Sequence, residues 1–194
     1  MNITLFGGAF NPPHIGHLIV IQQAFDLIPT QELWLLPDNV GSFGKKLAPA
    51  IHRTEMAKLL IEELPHQLEG KVKLETTLID ENLSGETHEY MKVLRQKYPD
   101  KDFSFLMGSD NLKKFKKWQQ WEDLIENLHF YVYPRSGHRS SPAFDNMTLL
   151  ESDTQVITNF SSTIMRKRAE DKLSLKHFIP AKVLTYINHH QLYL

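Results

Sequence analysis

An α/β fold, an open parallel sheet with helices on both faces, is predicted by three features of the sequence. A short apolar run, Ile3 to Phe6, leads through a glycine turn into a helical pattern beginning at Ile15. A second apolar run, Glu32 to Leu36, follows that helix and completes a βαβ unit. Later apolar runs, Phe103 to Met107 and His129 to Tyr133, end in turn residues of the same kind. In such a sheet ligands sit in the crevice beyond the carboxyl ends of the strands, so the turns that leave the strands are where chemistry is expected.

Taken in order, Ile3 to Phe6 is the first strand, and Leu18, Ile19, Ile21, Ala24, Phe25 and Ile28 recur at the three- and four-residue steps of a helix packed on a sheet. Pro29 marks the end of that helix, and Pro37-Asp38-Asn39 the turn beyond the second strand. Val40 to Pro49 contains glycine and two lysines, and reads equally as a substrate loop or a solvated connection. Ile51 to Leu64 is an amphipathic helix, Val72 to Leu74 a short strand, and Ser84-Gly85-Glu86-Thr87 opens a helix running to about Tyr98. Phe103 to Met107 and His129 to Tyr133 are the next strands, Ser140 to Asn146 a surface loop, and Gln155 to Ile157 a last strand. Helices are expected from Ser161 and over Phe178 to Ile187.

A chain of 194 residues that is 41% hydrophobic can bury one sizeable core and is too short for two ordinary ones. One domain over residues 1–194 is therefore expected, with a small helical portion from about residue 161. The 22 Lys and Arg nearly balance the 23 Asp and Glu, so no global field draws the chain to nucleic acid or to a membrane surface. Neither a signal-peptide pattern nor a bilayer-length apolar run is evident, and a cytoplasmic location is expected. With no cysteine, disulfides and thiolate catalysis are excluded.

The turn Gly7-Gly8-Ala9-Phe10-Asn11-Pro12-Pro13-His14-Ile15-Gly16-His17 carries the strongest signal. Glycines permit positive φ and close approach of a ligand, and the first turn of a helix offers unpaired N–H groups to an anion. His14 and His17, three apart, lie on one face at the start of the helix. The turn lacks the Lys-Ser/Thr of a P-loop and the three glycines of a dinucleotide fingerprint. A metal site on the two histidines would need further ligands, and none comes from cysteine. A second signal is Phe160-Ser161-Ser162-Thr163-Ile164-Met165-Arg166, where hydroxyls and free N–H groups meet at a helix start and Arg166 follows Thr163 by three residues.

The first of these stretches resembles the HxGH nucleotidyltransferase superfamily, in particular the nicotinate-nucleotide adenylyltransferases, although Ala9 and Asn11 stand where that family more often has Thr or Ser and Asp. The second is similar to the superfamily's Ile-Ser-Ser-Thr-x-x-Arg, which binds the β- and γ-phosphates. The resemblance spans nearly the whole chain and implies a Rossmann-like sheet of the nucleotidyltransferase type. It implies catalytic roles for His14, His17 and Arg166, and ATP contacts from Gly7, Gly8, Ala9, Phe10, Gly16, Ser161, Ser162 and Thr163. Gly108-Ser109-Asp110 resembles the family's Gly-x-Asp, which places Gly108 and Asp110 at the nucleotide; a turn aspartate is the other reading.

Acceptor contacts are implied for Lys46, Thr87, Trp118 and Arg135. Thr87 alone matches the family's Ser-Tyr-Thr, and could instead be a plain N-cap. Trp118 follows Gly108 at the family's spacing, where the ring stacks on the pyridine, and could equally be core. Arg135 falls in Pro134-Arg135-Ser136-Gly137, similar to an Arg-Pro-Gly turn, and Arg53 with Met56 is like the family's Arg-x-x-Met. Lys113, Lys114, Lys116 and Lys117 around Phe115 read as a solvated face, a funnel for polyphosphate, or a single-strand nucleic-acid patch.

The resemblance implies transfer of AMP from ATP to nicotinate mononucleotide, giving deamido-NAD and pyrophosphate, with Mg²⁺ bound through the ATP phosphates. The implied partners are ATP and a pyridine mononucleotide, without nucleic acid or membrane; a homo-oligomer is possible. Nicotinamide mononucleotide or phosphopantetheine as acceptor, and a nucleotide-binding regulator without turnover, are the alternatives. A class I aminoacyl-tRNA synthetase shares a similar histidine signature, but this chain is short and shows no tRNA-binding extension.

Overall fold

The computed structural model describes residues 1–39, 47–138, 141 and 144–193. Among them, six strands form one wholly parallel sheet: β1 (Asn2–Gly8), β2 (Glu32–Pro37), β3 (Val72–Leu74), β4 (Asp102–Gly108), β5 (His129–Tyr133) and β6 (Met147–Leu149). Their spatial order is β3-β2-β1-β4-β5-β6. The chain winds outward in one direction from β1 and in the other from β4, so the crevice of a doubly wound sheet opens where β1 and β4 diverge.

The helices are α1 (Ile15–Leu27), α2 (Ala50–Ile61), α3 (Thr77–Asp80), α4 (Thr87–Lys97), α5 (Trp121–Asn127), α6 (Ser162–Glu170) and α7 (Ala181–His189). They cover both faces because strand side chains alternate. Phe6, Leu33, Leu35 and Leu106 point into one core with Ile21 and Ala24 of α1, Met56 of α2, Met165 of α6 and Val183 of α7. Leu5, Trp34, Leu36, Phe105 and Met107 point into the other, with Tyr90, Met91 and Leu94 of α4 and Leu124 of α5. Two buried faces explain why the strands read as continuous apolar runs. No helix among the described residues is long and apolar enough to cross a membrane.

One expectation fails at the far edge. Gln155 to Ile157 is not a strand, and the sixth strand is Met147–Leu149. Its Met147 is buried and packs under the β4–β5 face. The apolar 155–157 segment is held by side chains instead of a ladder. The buried Gln23 of α1 takes the Val156 N–H at 2.8 Å and donates to its carbonyl at 3.1 Å, and the Tyr133 hydroxyl donates to the same carbonyl. The helix expected from Ser84 begins at Thr87, and the one expected over Ile51 to Leu64 ends at Ile61.

Candidate active site

β1 delivers the glycine turn to the carboxyl edge of the sheet. Gly7 and Gly8 close the strand without positive φ, contrary to the expectation; Phe10 holds the left-handed conformation, at φ 45°. Glycine at 7 answers to packing, since a Cβ there would meet Phe105 Cζ of β4 at 2.8 Å. At Gly8 a Cβ would meet only Phe10, at an ordinary 3.6 Å. The Phe10 ring is buried between Phe6, 5.8 Å away edge-on, and His17, 5.0 Å away.

His14 is the N-cap of α1 and His17 its third residue. The rings stack at 3.8 Å between centroids, and the His14 N–H donates to His17 Nδ1 at 3.0 Å. A neutral imidazole that accepts at Nδ1 carries its proton on Nε2, so His17 presents an uncharged N–H donor. Burial holds both rings neutral. His17 falls to about 3, through lost hydration and then the field of Arg135. His14 lies well below the usual histidine range, through burial, then His17, then Arg135. Gly16 is small by necessity, because a Cβ would meet Phe160 Cβ at 2.7 Å.

The second motif docks on this turn. Ser161 caps α6, its Oγ accepting from the Ile164 N–H at 3.2 Å. Ser162 Oγ donates to the Pro12 carbonyl at 2.8 Å and Arg166 Nη1 to the Asn11 carbonyl at 2.7 Å, while Arg166 Nη2 lies 3.4 Å from Thr163 Oγ1. Two stretches about 150 residues apart in sequence thus share one anion-ready corner, with the α1 and α6 N-termini and Arg166 beside it.

Arg135, implied as an acceptor contact, stands beside the histidines. Its Nη2 donates to the Phe160 carbonyl at 2.8 Å, and its field reaches both imidazoles. Its Nη1 lies 3.5 Å from Asp110 Oδ1. Asp110 belongs to the 3-10 helix Ser109–Lys117 that leaves β4, and does not cap it. Gly108 leaves room for that pair, since a Cβ would meet Arg135 Cδ at 2.8 Å.

Thr87 is the first residue of α4 and not its N-cap, which is Glu86; the plain-cap reading is therefore wrong. The half-buried Trp118 packs among Phe105, Phe115 and Phe130 at 5.2–6.3 Å, so one side of its ring serves the core. Of the four lysines, Lys116 lies over the Trp121 and Phe144 rings. Lys46, with the basic segment around it, lies outside the described residues.

Sequence reasoning gave no role to three residues that build the crevice. Arg53 is fully buried and donates to the carbonyls of Ala9, Asp38, Asn39 and Ala48. Asn11 Oδ1 accepts from the Ala48 N–H at 3.1 Å and from the Tyr193 hydroxyl at 2.7 Å. Asn39 Nδ2 donates to Leu83 O at 3.0 Å and Asn82 Oδ1 at 3.1 Å. Among the described residues no three His, Asp or Glu side chains gather as metal ligands.

A parallel sheet with a histidine turn at its switch point and a Ser-Ser-Thr-x-x-Arg helix docked on it defines a nucleotidyltransferase, and the cytidylyltransferase-like family model matches residues 5–168. The chain is 31% identical over 198 residues to the "Probable nicotinate-nucleotide adenylyltransferase" of Salinibacter ruber, covering 100% of this chain and 98% of that one. The protein of the same name in Anaeromyxobacter dehalogenans is 32% identical, covering 98% and 96%. The chain belongs to the nicotinate-nucleotide adenylyltransferase family. Its fold is that of the solved Plasmodium falciparum nicotinic acid mononucleotide adenylyltransferase complexed with NaAD, at TM-score 0.86 and 23% identity, covering 99% of this chain and 97% of that one.

Proposed function

We propose that this protein is an adenylyltransferase that moves AMP from ATP to nicotinate mononucleotide, producing deamido-NAD and pyrophosphate. The observation that carries the mechanism is the contact of Ser162 and Arg166 with the carbonyls of Pro12 and Asn11, which supports one triphosphate site built from both motifs.

The acceptor phosphate, largely dianionic near neutral pH, attacks the α-phosphorus of ATP, and the α–β bridging oxygen leaves with pyrophosphate. A dianionic nucleophile needs no general base, so rate comes from aligning two anions and stabilising the charge that spreads over the transferring group. His14 and His17 are assigned to the α-phosphate, with Nε2–H of His17 as a neutral donor. Ser162, Thr163 and Arg166 are assigned to the departing β- and γ-phosphates. Gly7 to Phe10 and Gly16 give the backbone close access to the nucleotide, and Gly108 with Asp110 borders it. Arg135, from its place beside the histidines, is assigned to phosphate charge in place of the acceptor. Thr87 and the exposed side of Trp118 remain the acceptor candidates.

Mg²⁺ would be bound through the ATP phosphates with mostly water ligands, as this ion prefers, and would supply neutralisation of charge on the departing pyrophosphate beside Arg166. The reaction is assigned to the cytoplasm.

The test supplies ATP and Mg²⁺ with nicotinate mononucleotide, nicotinamide mononucleotide or phosphopantetheine in parallel. Deamido-NAD and pyrophosphate at the highest kcat/KM with nicotinate mononucleotide is the expected result. Turnover only with phosphopantetheine, or with no acceptor, rejects the proposal.

A further inference from the structure

We propose that Arg53 is a positioning residue for the acceptor: it touches no substrate, yet it registers the wall beyond β2 against the ATP turn. The inference rests on the reading above, in which Thr87 is an acceptor candidate.

The geometry is that of a four-way clamp. Arg53 Nη1 donates to Ala9 O of the glycine turn at 3.2 Å and to Asp38 O at 2.5 Å. Its Nη2 donates to Asn39 O at 3.0 Å, and its Nε to Ala48 O at 2.9 Å. The guanidinium, 1% exposed, therefore ties residues 38, 39 and 48 to the ATP turn at once. Lysine, with one nitrogen on a flexible stem, cannot reproduce this; a planar fork of five donors can.

Two side-chain contacts extend the clamp in opposite directions. Asn39, whose carbonyl Arg53 holds, reaches Leu83 O and Asn82 Oδ1 in the connection that leads to Thr87. Ala48, whose carbonyl Arg53 also holds, gives its N–H to Asn11 Oδ1, and Tyr193 steadies that amide with its hydroxyl. Arg53 is thus joined, through backbone carbonyls, to both the acceptor border and the ATP turn. By contrast, its hydrogen bonds reach none of His14, His17, Ser162, Thr163 or Arg166, the groups assigned to the triphosphate. With one bond to the ATP turn and three to residues 38, 39 and 48, loosening the clamp should weaken the acceptor more than ATP.

The experiment compares wild type, Arg53→Lys and Asn39→Ala, each checked by thermal melting, with KM measured separately for ATP and nicotinate mononucleotide. Wild-type turnover of nicotinate mononucleotide is read first and tests the functional reading alone. Given that turnover, Arg53→Lys is expected to raise the acceptor KM at least fivefold with the ATP KM within twofold. Asn39→Ala, which removes the side chain that reaches Leu83 and Asn82 and leaves the ATP turn untouched, is expected to raise the acceptor KM two- to threefold. A folded Arg53→Lys with both KM values unchanged, or with both rising together, overturns the proposal. Should Arg53→Lys fail to fold, an unchanged acceptor KM in Asn39→Ala overturns it.

Discussion

Acid should destabilise this protein through its histidine pair. In the folded chain His17 is held near 3 and His14 well below the usual range, mainly by burial, whereas both regain an ordinary value near 6.5 when unfolded. Below pH 6.5 the unfolded state then binds protons that the folded state refuses, so stability falls as pH falls. Between pH 7 and 5.5 the linkage relation gives about 1.3 kcal/mol for His17, and His14 adds in the same direction. With a urea m-value of roughly 2–3 kcal/mol/M, the His17 part alone is a midpoint shift of about 0.5 M.

The assay is urea denaturation of wild type and His17→Gln at both pH values, with ¹H–¹³C imidazole shifts of wild type followed over the same range. Gln at 17 retains an oxygen that can accept the His14 N–H, so the variant isolates titration from capping. The pH dependence of His17→Gln should be about 1.3 kcal/mol shallower than that of wild type. A His17 resonance titrating near 6.5, or identical pH dependences in the two proteins, would refute the reasoning.

Replacing His17 by Ala should lower turnover about 10²–10³-fold, the usual cost of one donor to developing charge, while circular dichroism stays native; unaltered kcat ends its assigned role. Gly7→Ala should destabilise by about 1–3 kcal/mol in a urea melt, because its Cβ would meet the Phe105 ring at 2.8 Å. Gly8→Ala, with only a 3.6 Å contact to Phe10, should melt like wild type and raise the KM for ATP, so equal melting of the two variants would contradict the packing account. Gln23→Leu should cost about 1–2 kcal/mol, since the Val156 N–H loses its acceptor while the Tyr133 hydroxyl keeps its bond to the Val156 carbonyl, and an unchanged urea midpoint would count against that role.

The central strands were legible in the sequence because burial on both faces leaves long apolar runs, and β3 and β5 begin and end at the expected residues. The outer edge was not. β6 is three residues long and mixes Met, Thr and Leu, while the more apolar 155–157 segment is claimed by the amide of Gln23 and the hydroxyl of Tyr133. No periodicity can announce such a side-chain partner. At the site, both motifs could be read as local strings. Their meeting through the carbonyls of Asn11 and Pro12 could not, because a backbone acceptor leaves no mark on residue choice. The same blindness hid Arg53, whose four partners are all main-chain oxygens; its position near an Arg-x-x-Met pattern was visible, its work was not.

The neutral histidines also bear on how the site divides its labour. Two stacked imidazoles 3.8 Å apart could not both be charged in so dry a place, and Arg135 opposes protonation further. In the proposed reading, positive charge near the phosphates is therefore left to the guanidinium groups of Arg135 and Arg166. The imidazoles supply direction: an N–H fixed by the His14-to-His17 bond, aimed before substrate arrives and costing little reorganisation during transfer. Such a division suits a phosphate nucleophile, which needs no base. It also implies that the donor strength of the pair stays constant from neutral pH upward, because neither ring carries a second proton to lose there.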